Sequence, residues 1–341
     1  MVKNSWCLLL AASIGFGFSA SVFAQKPFYE GKTLRIVVGS AAGGGSDTYS
    51  RAIARHLGKH IEGNPTVIVE NMPGAGGLTA VNHAYKVAKP DGLTIGNFIG
   101  TVLIGQILGR PGIEFDARRF EYIGVPTKFD YVCAFTKASG ITSMEKWMAS
   151  KKPVKVGATG PGSSLYDAPR ILQTVLGVPT HIVSGYKSIG DIRLAAEAGE
   201  VDGICGVGWQ VFKAAWRRAI EAGDVLVVLQ MVPQAHPDLP HVPLAINFAK
   251  TEEARQLIKA GIHDSGAFVF VYALPPATPK DRVGILRQAF LNTMKDPEFL
   301  IEAKKANFEI DPVTGGELQG IISGLFKLDA AIVSKLREIL K

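Results

Sequence analysis

Arg35-Ile36-Val37-Val38-Gly39-Ser40-Ala41-Ala42-Gly43-Gly44-Gly45-Ser46-Asp47 and Val67-Ile68-Val69-Glu70-Asn71-Met72-Pro73-Gly74-Ala75-Gly76-Gly77 are two passages built to one pattern. Each begins as a short apolar run of the buried-strand kind, empties into a glycine-rich turn, and is followed by a helical pattern. Glycine lets the backbone turn sharply and come close to a ligand, because no Cβ intervenes. The first N–H groups of the following helix have no intrahelical partner and carry partial positive charge, so they attract anions. Read from these residues alone, the passage is a backbone-built site for something small and negatively charged.

Strand and helix patterns alternate outward from there. Leu34–Val38, Val67–Val69 and Thr94–Phe98 are predicted strands; helices begin at Asp47 and span Leu78–Val87, and Pro90-Asp91-Gly92 is a turn. That βαβαβ order implies a parallel sheet with right-handed crossovers. A second set starts near Tyr122, with predicted strands Tyr131–Phe135, Lys155–Gly157, His181–Val183 and Val201–Cys205. Its predicted helices are Met144–Ala149, one running from Gly160-Pro161-Gly162-Ser163-Ser164 through Leu176, and Ile189–Ala198. Pro233–Pro243 reads as a connection, Ala267–Leu274 as a long strand, and Lys280–Met294, Glu298–Ala306 and Gln319–Leu340 as helices. The order fits an α/β chain of two lobes that crosses between them twice. Residues 26–125 plus 241–341 form lobe 1 in this reading and residues 126–240 form lobe 2.

The first 24 residues read as a secretory leader. Lys3 supplies its positive start, Cys7 to about Phe18 its apolar stretch, and Val22-Phe23-Ala24 a small-x-small cleavage site before Gln25. The apolar run is shorter than the roughly 20 residues a membrane span needs. A periplasmic address follows as the expectation. The whole chain of 341 residues carries a net charge of +7, and loss of Lys3 with the leader brings that to about +6. Basic and acidic residues are interspersed, with no polybasic run, which disfavours nucleic acid as a partner. Two cysteines remain, Cys133 and Cys205, both in apolar strand-like stretches. An oxidising compartment permits a disulfide, yet two buried thiols in separate strands are the commoner outcome.

Asn71-Met72-Pro73-Gly74-Ala75-Gly76-Gly77, Gly43-Gly44-Gly45-Ser46-Asp47 and Pro90-Asp91-Gly92 resemble the TctC/Bug family, extracytoplasmic solute-binding proteins of tripartite tricarboxylate transporters. The resemblance covers nearly the whole chain behind the leader and is densest in the first third. It implies a two-lobed periplasmic-binding-protein fold (type II, Venus-flytrap) with two interlobe crossovers. It also implies a small organic anion as ligand, a carboxylate foremost, and a membrane permease as partner, with no catalysis, cofactor or metal. In the family the first glycine loop binds a ligand carboxylate through backbone amides and ordered water; the matching positions are Ser40, Ala41, Ala42, Gly43, Gly44 and Gly45. Gly39 to Ala42 stand where the family usually has proline and a bulkier residue.

The second ligand-facing loop of the family is matched by Ala158-Thr159-Gly160-Pro161-Gly162-Ser163-Ser164, with a plain helix cap by Ser163 or Ser164 as the competing reading. Tyr186-Lys187 matches a Tyr-Lys pair, and Asp202 an aspartate at the start of a strand that approaches the cleft. Gly206 stands where a second aspartate is common, and Phe98 and Ile99 replace small polar residues beside Gly100-Thr101, positions taken to face the pocket. Trp209 either walls an apolar part of the ligand or belongs to the core. Asp47 is read as the N-cap or first-turn acid of the helix it begins, and Asn71 as the brace of its turn.

The chain has no Gly-x-Ser-x-Gly elbow, no complete P-loop and no zinc-type Cys/His spacing. His56 and His60 read as exposed helix residues, and His236 and His241 as solvated loop residues. Two further readings stay open. One is a periplasmic ligand sensor for a membrane kinase. The other is a nucleotide-dependent enzyme, for which the Gly-x-Gly-x-x-Gly phase is absent.

Overall fold

The structure, a computed structural model, describes residues 26–341, so the leader expected at 1–24 lies outside the described residues. Two sheets carry the chain. The first has six strands in the order β11-β4-β10-β3-β1-β2: β1 Thr33–Val38, β2 Thr66–Asn71, β3 Thr94–Ile99, β4 Glu121–Val125, β10 Phe270–Leu274 and β11 Val313–Thr314. The second has the order β7-β6-β8-β5-β9: β5 Tyr131–Thr136, β6 Val154–Ala158, β7 Thr180–Ser184, β8 Gly203–Gly208 and β9 Val225–Met231. β1 runs parallel to β2 and β3, and β6 parallel to β7 and β8, as the βαβ reading requires. The two-lobed α/β architecture expected from the sequence is the one observed. The chain passes from sheet to sheet twice, between β4 and β5 and between β9 and β10.

Helices cover both sheets. On the first lie α1 Gly45–Leu57, α2 Leu78–Lys86 and α3 Thr101–Ile107; on the second lie α4 Met144–Met148, α5 Ser164–Leu176, α6 Ile189–Glu197, α7 Trp209–Ala215 and α8 Arg217–Glu221. Then come α9 Glu252–Ile258, α10 Asp264–Ala267, α11 Lys280–Lys295, α12 Pro297–Lys305, α13 Gly315–Leu325 and α14 Ala330–Ile339. α1 shows why such helices form. Tyr49, Ala52, Ile53 and Leu57 fall on one face and pack with Leu34, Ile36 and Val38 of β1 in a single core cluster.

Four local readings change. Gln319–Leu340 is two helices, because the Asp329 carboxylate accepts from Ala331 N at 2.7 Å and starts a new helix there. Val225–Met231, given no strand by the sequence reading, is β9. The stretch from Ala245 to Ala267, assigned to lobe 1 from sequence, packs through α9 against α5 of the second sheet. His56 and His60 are part-buried rather than exposed. His56 Nε2 lies 2.8 Å from Glu302 Oε2 and His60 Nε2 lies 2.8 Å from Asp296 Oδ2, both acids coming from the α12 region. Lys59 Nζ supplies the counter-charge, 2.6 Å from both Asp296 and Glu298.

The cysteines correct the thiol expectation. β5 and β8 are antiparallel neighbours in which Cys133 stands directly opposite Cys205, and the two form a disulfide spanning 72 residues. Their register depends on Gly206. Val132 pairs with Val207 and Cys133 with Cys205, so Gly206 is the extra residue of a bulge, with φ +85°. A Cβ there would stand 2.1 Å from the carbonyl oxygen of Ser164. No side chain fits, which is a physical reason for glycine where the family resemblance suggested an aspartate.

Two outcomes are expected. Reducing the Cys133–Cys205 bond lowers unfolding stability by about 2–4 kcal/mol, read from urea curves with and without reductant; equal midpoints would mean that the bond constrains nothing. Gly206→Ala destabilises by about 1–3 kcal/mol or more, because the added Cβ must move the Ser164 backbone; an unchanged midpoint would show that the bulge relaxes freely.

Candidate functional site

The glycine loops stand where parallel strands end and helices begin, at the edges of both sheets that face the other lobe. In the first loop Gly43, at φ +81°, donates its N–H to Asp47 Oδ2 at 2.8 Å. Arg51 Nε also donates to Asp47 Oδ2, at 3.0 Å. Asn71 Nδ2 donates to Asp47 Oδ1 at 2.8 Å and to the Ser40 carbonyl at 3.0 Å. Asp47 is therefore the first-turn acid of α1 and Asn71 the brace that joins the two glycine passages. The hydrogen bond from Arg51 leads the causes that hold the Asp47 carboxyl down at about 2. The amides of Gly45 and Ser46 have no intrahelical partner because they open α1.

The second loop repeats the device. Gly162, at φ +86°, donates its N–H to Asp167 Oδ1 at 3.0 Å. Asp167 was not singled out from sequence, although it stands in the first turn of α5 as Asp47 does in α1. Ser163 makes no side-chain cap. Its hydroxyl donates to the Gly160 carbonyl at 2.7 Å and accepts from Thr159 Oγ1 at 2.8 Å, so it closes the loop on itself. Tyr186 N donates to the Ala158 carbonyl at 3.3 Å, and Gly185 N to the Thr159 carbonyl at 3.1 Å. Tyr186 is thereby held beside this loop at the end of β7.

The remaining residues divide. Gly45 and Trp209 border one interlobe cavity of about 540 Å³. Thr101 and Ser164 border a second, of about 30 Å³, together with Arg110 and Asp167. Gly100 is at the β3–α3 junction, where a Cβ would stand 2.0 Å from the Phe268 carbonyl oxygen. Ser40, Ala41, Ala42, Gly43 and Gly44 line neither cavity; Ala41, Ala42 and Gly43 are exposed to solvent. Asp202 is not brought to the cleft. It precedes β8, accepts from Lys155 N at 2.7 Å, and so stands a whole strand away from Trp209, roughly 23 Å at strand rise. Phe98 does not face a pocket either, since it is buried among Phe120 and the first-lobe core. Ile99 is exposed.

The large cavity contains residues that the sequence did not mark. Its wall includes Tyr49, Phe129, Phe270 and Phe308 with Trp209, and Asp130 and Glu309 border it. Tyr49 and Phe308 stack with ring centroids 4.1 Å apart. Trp209 is nearly buried, borders the cavity, and donates Nε1–H to Asp238 Oδ2 at 3.0 Å. His236 is not a solvated loop residue; its ring lies against Trp209 and Nε2 is 3.8 Å from Asp130. A hydrogen bond from Gln210 Nε2 to Glu309 Oε1 at 3.1 Å joins α7 of the second lobe to the chain after α12. Of the missed residues only Tyr49 had a readable signal, lying one helical turn after Gly45 on the same face.

Among the described residues no helix is long and apolar enough to cross a membrane. In comparisons, the chain is 26% identical over 337 residues to a UPF0065 protein from the gbd 5′ region of Cupriavidus necator, covering 96% of this chain and 95% of that one. A ligand-free TctC solute-binding protein from Polaromonas shares the fold with a TM-score of 0.71 at 18% identity, covering 91% of this chain and 98% of that one. MatC from Rhodopseudomonas palustris, solved with bound malate, aligns with a TM-score of 0.58 at 19% identity, covering 91% and 99%. The family model described as the tripartite tricarboxylate transporter family receptor, TctC, matches residues 50–336. With the glycine loops, two sheets and interlobe cavities in place, the chain belongs to the TctC family.

Proposed function

We propose that this protein is a periplasmic receptor that takes a small organic anion, a carboxylate foremost, between its lobes and delivers it to a tripartite tricarboxylate-type permease. The observation that carries the reading is the start of α1 at Gly45, where the first glycine loop ends. Its braced turn presents the opening amides of α1 at Gly45, on the border of a cavity large enough for a small organic molecule. Malate in MatC is a dicarboxylate held by the same fold, which supports a carboxylate as the ligand class here. Closure of the lobes would exclude water and strengthen each amide dipole directed at the anion. No bond is made or broken in this cycle.

The test is isothermal titration of the mature chain, unfolded and refolded to strip carried ligand, with mono- and dicarboxylates, phosphate and nucleotides. Saturable binding of carboxylates is expected, and Gly45→Val should weaken it about tenfold or more with the circular dichroism spectrum unchanged. Binding of nucleotides alone would overturn the reading.

Asp47 should stabilise the loop in its ionised form. Since Arg51 and its other partners hold the carboxyl near pH 2, against about 4 in the unfolded chain, its contribution is full above about pH 4 and is lost as pH falls through about 2. The stability gap between wild type and Asp47→Asn, followed by thermal unfolding, should narrow over that window. A gap constant from pH 7 to pH 2 would assign the effect to something other than the charge.

A further inference from the structure

Two electrically opposite groups border the cavity that Gly45 and Trp209 share. One is the N-terminus of α1, whose unpartnered amides favour negative charge. The other is acidic: Asp130 and Glu309 both border the cavity. Burial pushes both carboxyls above the usual carboxylate range, and for Glu309 the charge of Asp130 adds to the effect.

The basic groups nearby are engaged. Lys128 Nζ is 3.0 Å from Asp311 Oδ2, and Lys213 Nζ is 2.7 Å from Asp238 Oδ2. His236 Nε2 stands 3.8 Å from Asp130. The side-chain donor to Glu309 is the neutral amide of Gln210. Aromatic rings border the same cavity, with Phe270 5.2 Å and Phe308 4.1 Å from the Tyr49 ring centroid.

A dicarboxylate in this space would bring its second negative end against Asp130 and Glu309 in partly desolvated surroundings, where like charges repel strongly. An ammonium would be attracted there, both by the carboxylates and by the negative faces of the rings. Resting on the carboxylate-receptor reading above, we propose that the ligand of this protein is a zwitterion. Its carboxylate meets the α1 N-terminus, its apolar or aromatic body fills the cavity, and its ammonium is received by Asp130 and Glu309.

Matched pairs test this by titration calorimetry at pH 8: adipate against 6-aminohexanoate, and terephthalate against 4-(aminomethyl)benzoate. Hexanoate and hexylamine serve as single-ended controls. The amino acid of a pair is expected to bind about tenfold or more tightly than the diacid. In Glu309→Gln and Asp130→Asn that ratio should collapse toward one. Equal or tighter binding of the diacids to wild type would overturn the zwitterion inference and leave the carboxylate reading standing. A preference that survives in both variants would overturn the assignment to these two acids. Binding of hexylamine with no carboxylate bound would overturn both the inference and the reading beneath it, as would no binding by any member of the panel. The wild-type comparison decides even if a variant fails to fold.

Discussion

In each lobe one backbone amide, belonging to a glycine in the left-handed region, is tied to a carboxylate in the first turn of the helix that follows. Gly43 reaches Asp47 and Gly162 reaches Asp167. This bond forces the chain to reverse within a few residues of a buried parallel strand, and it fixes where the helix begins. It also uses one amide internally, so the remaining helix-opening amides meet whatever enters from outside. The sheets, the crossings and the interlobe spaces all depend on strands ending at a common edge, and these turns define that edge.

Much of this was legible in the residues. Leu34 to Val38 is apolar apart from the exposed Arg35, and glycine, asparagine and aspartate at set distances after it specify the turn. The acidic role of Asp47 and the bracing role of Asn71 follow from local chemistry, and the observed hydrogen bonds are those such side chains make. The break at Asp329 was hidden because the apolar spacing continues on both sides of it. Periodicity cannot distinguish one helix of that length from two meeting at a cap.

The rest was hidden because it is made by distant parts of the chain. Asp130 and Glu309 lie far apart in sequence and meet only because one enters β5 and the other follows α12. Cys133 and Cys205 are opposite each other only because Gly206 adds a residue to β8, and sequence spacing does not report a bulge. Asp202 shows the converse: a residue at the proper motif position, spent on pairing with Lys155 at the far end of its strand.

α14 extends beyond the two sheet-to-sheet crossings. Arg337 Nε donates to the Leu108 carbonyl of the first lobe at 2.9 Å, while α14 packs on α5 and α9 of the second. On that flank the lobes are joined by a helix with contacts to both. Between α7 and the end of α12 a side-chain bond from Gln210 to Glu309 joins the lobes, and the crossing residues Thr127 to Asp130 border the same cavity. Any parting of the lobes must therefore break the Arg337–Leu108 bond or carry it along, so α14 acts as a clasp added to the two covalent crossings.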